Sequence, residues 1–195
     1  MTPPAATSLA DDSDAALMRL VAGGDERAFR QLAGRHLDDM LRLARKMLGS
    51  AVGADDVAQE ALLRVWMHAG RWRPERSRLT TWLYTIVYRL CIDRLRGQRT
   101  EPLERALEAA DPAPGAFETL ARAGELRQLA RALAALPPRS RAALTLFYYQ
   151  ELTGPEAAAV LGVSLRAFWS LLHRARQAIQ QQMLTPDPLA KASEA

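Results

Sequence analysis

The stretch LTGPEAAAVLGVSLRAFWSLLHRARQAI, from Leu152 to Ile179, leaves the chain few ways to fold. Thr153-Gly-Pro-Glu156 fits a capping box, with Pro155 inside the first helical turn, where its missing N–H matters least. A short helix is expected through Leu161. Gly162 can then take the positive φ of a tight turn, and Ser164 can cap a second helix. In that second helix Phe168, Leu171, Leu172, Ala175 and Ile179 can pack inward. Arg166, Trp169, Ser170, His173, Arg174 and Arg176 cover much of the rest. A short helix, a glycine turn and a capped helix carrying cations and small polar groups is the layout of a helix-turn-helix. In such a unit the second helix enters the major groove and its N-terminal turns meet base edges, with arginines neutralising phosphates and reading guanine. An αα-hairpin with a solvated basic face has the same pattern.

A second stretch, RLTTWLYTIVYRLCIDRLR from Arg78 to Arg96, reads as a helix of another kind. At about 100° per residue, Leu79, Leu83, Ile86 and Leu90 fall on one core-facing stripe. Trp82, Arg89 and Arg96 repeat every seventh residue roughly a quarter-turn away, with Arg78 close to the same line. Cations thus line up behind a large indole, beside the buried face.

Around these two stretches the chain punctuates itself as helix. It is rich in Ala, Leu and Arg and poor in β-branched residues, a helical composition. Ser13 or Asp14 can cap a short helix ending at Gly23-Gly24. Asp25 can cap a longer one through Met47, stopped by Gly49. Ala54 to Ala69 forms a third, with Val57, Ala61, Leu62 and Val65 at helical spacing, ended by Gly70. WRPERSR is a short basic loop broken by Pro74 and Ser77. TEPLERALEAADPAPG holds three prolines and a surplus of acids, and reads as linker. A helix is expected from near Phe117 to Leu136, a break at Pro137-Pro138, and a further helix from Arg139 to Tyr149.

Charge follows the same division. Residues 14–99 carry sixteen Arg/Lys against ten Asp/Glu, residues 100–125 two against six, and residues 126–185 seven against two. Two basic blocks separated by an acidic one suggest two polyanion-facing modules and a linker. The expected architecture is all-α: two small helical domains, 13–99 and 125–183, joined by a flexible linker, 100–124, with disordered tails at 1–12 and 184–195. Cys91 is the single cysteine, so neither an intramolecular disulfide nor a cysteine-built zinc site is expected. No metal, cofactor or catalytic residue is expected. The N-terminal residues lack the basic flank and apolar run of a secretion signal, and no stretch approaches the roughly 20 apolar residues of a membrane span.

The two modules together resemble an extracytoplasmic-function sigma factor of the sigma-70 superfamily, the smallest type, with regions 2 and 4 only. ADDVAQEALLRVW is similar to the region 2.2 helix. WRPERSRLTTWLYTIVYRLCIDRLR matches the run across regions 2.3 and 2.4, and ALAALPPRSRAALTLFYYQELTGPEAAAVLGVS followed by LLHRAR matches region 4. The resemblance implies that the helix around Asp55, Asp56, Gln59, Glu60 and Arg64 docks on the β′ clamp helices of core RNA polymerase, whose β subunit is a further partner. It implies that Arg71, Trp72, Arg73, Arg76, Arg78, Trp82, Tyr88, Arg89 and Arg96 hold the −10 element as single strand. Trp82 has a second reading, an indole packed at the domain edge, and Tyr84 reads as core. Arg166, Trp169, Ser170, His173, Arg174 and Arg176 are implied contacts to the −35 element as duplex. An anti-sigma factor is the other implied partner, with no membrane insertion. The location implied is the bacterial cytoplasm, at the nucleoid when active or held at the inner membrane by that partner.

Three departures from the family pattern bear on specificity. Arg89 stands where Asn is usual, Arg76-Ser-Arg78 replaces Arg-Gly-Ser, and Phe168-Trp169 replaces a small or β-branched residue followed by a basic one. Three other functions account for less of the chain. A metal-dependent nuclease built on Asp55, Asp56 and Glu60 lacks a second carboxylate cluster. A helix-turn-helix regulator independent of polymerase leaves the Arg/Trp loop and helix unexplained. A decoy that binds an anti-sigma protein but not DNA has no use for the basic residues in both modules.

Overall fold

The computed structural model describes residues 13–98 and 128–184. The expected tail 1–12 and linker 100–124 lie outside the described residues, as do 185–195 of the expected C-terminal tail. The helix expected to begin near Phe117 is described from residue 128.

Every described element is helical, and most boundaries follow from local chemistry. In α1 (Asp14–Ala22) the Ser13 hydroxyl accepts from the Ala16 amide at 3.3 Å. In α2 (Glu26–Leu48) the Asp25 carboxylate accepts from the amides of Arg27 and Ala28 at 2.8 and 3.0 Å. Gly49 closes α2 at φ +75°, where any other residue is strained. Helix α3 (Ala54–His68) gives way to a 3₁₀ turn, Ala69–Arg71, which takes in the last residue expected for the helix. Helix α4 (Leu79–Gln98) carries the stretch rich in Arg and aromatics. As expected, Leu79, Leu83 and Leu90 are buried and Ile86 packs against the same core.

The second module opens with residues 128–135, helical and here called α5. Helix α6 (Pro138–Leu144) starts one residue before the position expected. It does not continue to Tyr149 as an α-helix; Thr145–Tyr149 widens into a π-helical turn. Helices α7 (Gly154–Leu161) and α8 (Leu165–Leu184) make the helix-turn-helix, joined through Gly162 at φ +64°. The Ser164 hydroxyl accepts from the Ala167 amide at 3.2 Å. Helix α8 runs through Leu184, the residue at which the tail was expected to begin.

The capping box of α7 is complete. The Thr153 hydroxyl accepts from the Glu156 amide, and the Glu156 carboxylate accepts from the Thr153 amide at 2.9 Å and its hydroxyl at 2.7 Å. Those bonds from Thr153 hold the Glu156 carboxyl below the usual carboxylate range, with Arg78 assisting. A depressed folded value gives stability that is present above about pH 4.3 and is lost as pH falls through the folded value. Urea midpoints measured down that pH range should therefore drop more for the native chain than for Glu156→Gln, which lacks this titration.

The two modules touch. One apolar core runs from Leu17 and Met40 through Leu83 and Val87 to Leu146, Val160 and Phe168. The Arg141 guanidinium from α6 donates to the Met47 carbonyl at the end of α2 at 2.8 Å, to the Leu136 carbonyl at 3.3 Å and to the Ala134 carbonyl. Gln150 donates to the Asp39 carbonyl at 3.4 Å, and Lys46 lies 4.4 Å over the Tyr149 ring.

Candidate polymerase and nucleic-acid interfaces

Helix α3 buries Val57, Ala58, Ala61 and Val65, which leaves Asp55, Asp56 and Gln59 exposed and Glu60 and Arg64 half-buried. Three of its acids are paired within the module: Asp55 with Arg45 at 3.6 Å, Asp56 with Arg94 at 3.2 Å, and Glu60 with Arg64 at 2.8 Å. Gly53, the N-cap at φ +80°, makes room for this, since a Cβ there would occupy the space of the Arg94 guanidinium. Both carboxylates stay largely exposed, with acceptor sites open to a partner cation beside Arg45 and Arg94.

Beyond the acids the same helix exposes an apolar run. Leu63 and Met67 are 51% and 63% exposed, and the Trp66 ring meets Phe29 of α2 edge-on at 5.2 Å. Phe29, Gln59, Leu62, Leu63 and Trp66 line one groove. This surface was not expected. Leu63, Trp66 and Met67 add a second apolar stripe beside Val57, Ala61, Leu62 and Val65, and a two-sided apolar helix was the available signal.

The expected single-strand set divides by exposure. Arg71, Arg73, Arg76, Arg78, Arg89 and Arg96 are all exposed. Arg73 donates to the Trp72 carbonyl at 3.1 Å, and Arg78 meets Glu156 of the second module at 3.4 Å. Trp82 is half-buried, packed against the core. Trp72 and Tyr88 are not on the surface as expected. Trp72, 8% exposed, closes the core after the 3₁₀ turn, and its indole N–H has no partner among the described residues. Tyr88 is buried, which raises its hydroxyl pKa, while Arg139 of α6 hydrogen-bonds to it and opposes that shift. Tyr84 is buried as expected, and burial raises its hydroxyl to about 12.

On α8 the expected duplex contacts lie together. Arg166, Ser170, His173 and Arg174 are exposed. The Ser170 hydroxyl donates to the Arg166 carbonyl at 3.0 Å and Arg174 donates to the Ser170 carbonyl at 3.3 Å. Arg176 rests its guanidinium 5.2 Å over the Tyr148 ring. Trp169 is half-exposed on the same face.

The family models for sigma-70 region 2 and sigma-70 region 4 match residues 32–101 and 126–179. The ECF RNA polymerase sigma factor SigM of Mycobacterium tuberculosis is 35% identical over 167 residues, covering 84% of this chain and 81% of its own. The chain belongs to the ECF-type sigma-70 family. RNA polymerase sigma factor CnrH of Cupriavidus metallidurans is 31% identical over 85% of this sigma factor and 92% of CnrH. The structure of CnrH with the cytosolic domain of CnrY is similar at a TM-score of 0.65, covering 87% of this chain and 96% of that one. The fold also matches sigma factor RpoE of Bartonella quintana, solved with the anti-sigma factor NepR, at a TM-score of 0.66 and 21% identity, over 82% of this chain and 98% of that one. Among the described residues no helix is long and apolar enough to cross a membrane, and no cluster of His, Cys, Asp and Glu could hold a metal ion.

Proposed function

We propose that this sigma factor binds core RNA polymerase through α3, places its two modules on the −10 and −35 elements, and favours strand opening. The observation that carries the reading is a division within one module. Helix α3 presents Asp55, Asp56 and Glu60, each paired with an arginine, while the loop after it and α4 present the exposed cations Arg71, Arg73, Arg76, Arg78 and Arg89. A factor seated between a polymerase and DNA needs both surfaces. On the −10 side the cations hold the displaced strand, with Trp82 the aromatic nearest to the surface. Arg96 extends that track. On the −35 side Arg166, Ser170, His173, Arg174 and Arg176 face duplex. In this role the chain performs no chemistry, because nucleotide joining belongs to the polymerase. An anti-sigma protein that holds the two modules together fits the same reading.

The touching arrangement does not fit both promoter elements at once. About 25 base pairs of B-form DNA span ~85 Å, whereas α4 and α8, of 20 residues each, are each about 30 Å long. Promoter binding therefore separates the modules, which frees Arg78 from Glu156 and uncovers Tyr88. Trp72 stays in the core and supports the loop from beneath.

The division of labour is tested by two substitutions. Arg174→Ala should weaken binding of −35 duplex by roughly tenfold, the loss of one charged contact of about 1.4 kcal/mol. Trp82→Ala should spare duplex binding and reduce open complexes by fivefold or more, as stacking is worth ~1–3 kcal/mol per base. Permanganate footprinting and duplex titration read the two separately. Equal loss of both activities in each variant contradicts the assignment.

A further inference from the structure

On the exposed face of α8, Leu165 and Trp169 stand one turn apart and are 43% and 44% exposed. With Arg166, Ser170 and His173 they line one shallow depression. The indole is fixed in place. A Cβ at Gly154, the first residue of α7, would lie 2.6 Å from its Cζ2 atom, so glycine leaves room for the ring against that helix start. The ring also meets Phe147 at 5.5 Å and Phe168 at 5.1 Å, both edge-on. Trp169 is thus wedged between the two helices of the helix-turn-helix, with its free side turned toward the depression. A ring already immobilised loses little freedom on contact, so a modest apolar interaction is retained.

The chemistry of the depression selects its occupant. Leu165 offers no hydrogen bond and the indole of Trp169 only a single N–H donor, so these two side chains make the lining largely apolar. The major groove offers one apolar feature, the C5-methyl group of thymine. Arg166 and His173, which share the lining, suit the acceptors and phosphates that flank such a methyl group. We infer that Leu165 and Trp169 form a thymine-methyl reader, which makes Trp169 a specificity-determining residue for the −35 element. The inference rests on the duplex-reading role proposed for α8.

Holoenzyme assembled from the full chain and core polymerase is allowed to select from DNA randomised across the −35 region. Each thymine of the selected duplex is then replaced in turn by deoxyuridine, which differs only in lacking the methyl group. One thymine, or two adjacent ones, should lose about fourfold in affinity on replacement, the weight of one buried methyl-sized group. Holoenzyme carrying Trp169→Ala should bind the thymine and deoxyuridine duplexes alike at that position, and Trp169→Phe should keep part of the difference. The scan with the native chain needs no variant to fold. Indifference of the native chain to every replacement overturns the reader, as does a fourfold step that survives Trp169→Ala. A holoenzyme that enriches no sequence at −35 is a different failure, because it removes the duplex-reading role and the inference together.

Discussion

Phe168→Ala is expected to destabilise the second module by about 3–5 kcal/mol, the usual cost of emptying a buried phenylalanine site. Phe168 is fully buried, at the centre of the contact between Phe147, at 6.1 Å, and Trp169. Its ring sets how α8 sits on α6 and α7, and hence where Arg166, Ser170 and Arg174 point. A loss of that size is a large part of the 5–15 kcal/mol that holds an ordinary domain together. Duplex binding should fall with stability, while the acidic face of α3, in the other module, keeps its affinity for polymerase. Urea unfolding followed by circular dichroism measures the first effect, and a pull-down with core polymerase the second. A loss under 1 kcal/mol would mean that the site collapses around the missing ring, contrary to the close packing described.

The second large effect is expected at Arg141. Its side chain is buried, and that burial lowers its pKa. The cost of burying the guanidinium is offset by three backbone carbonyls, those of Met47, Ala134 and Leu136. Arg141→Met removes the donors and leaves carbonyls at two helix ends without them. An unmet buried polar group costs ~1–3 kcal/mol, so a total near 3 kcal/mol is expected. Arg141→Lys should recover little, because one ammonium cannot reproduce a planar fork spread over three acceptors. The same residue ties α6 to α2, so Arg141→Met should also let the modules part. Small-angle scattering should report a larger radius of gyration for Arg141→Met than for the native chain. An unchanged radius together with unchanged stability would show that other contacts carry the junction.

Much of the fold was legible because its signals are local. Ser13, Asp25 and Ser164 cap helices with their own side chains. The Thr153–Glu156 box closes within one turn, and Gly49 and Gly162 stop helices by taking φ values that other residues avoid. None of these depends on what packs elsewhere. Arg141 shows the limit. In the sequence it counts among seven arginines of a basic block, and only the docking of α6 on α2 turns it into a buried tie. Tyr88 was misplaced for the same reason. It sits on α4 among exposed arginines, but on the side that the second module covers. Trp72 was read with its cationic neighbours Arg71 and Arg73, although a short 3₁₀ turn rotates it inward. The apolar half of α3, with Phe29 contributed from α2, was missed because it forms across two helices. The π-helical turn at Thr145–Tyr149 left no mark in the spacing of apolar residues.

The central claim is that this chain decides where RNA polymerase begins. Run-off transcription with purified core enzyme on a genomic promoter library, with and without the chain, tests it most directly. The account predicts RNA beginning at defined positions only when the chain is present, with shared sequences upstream at −10 and −35. Identical start sites with and without the chain would contradict it.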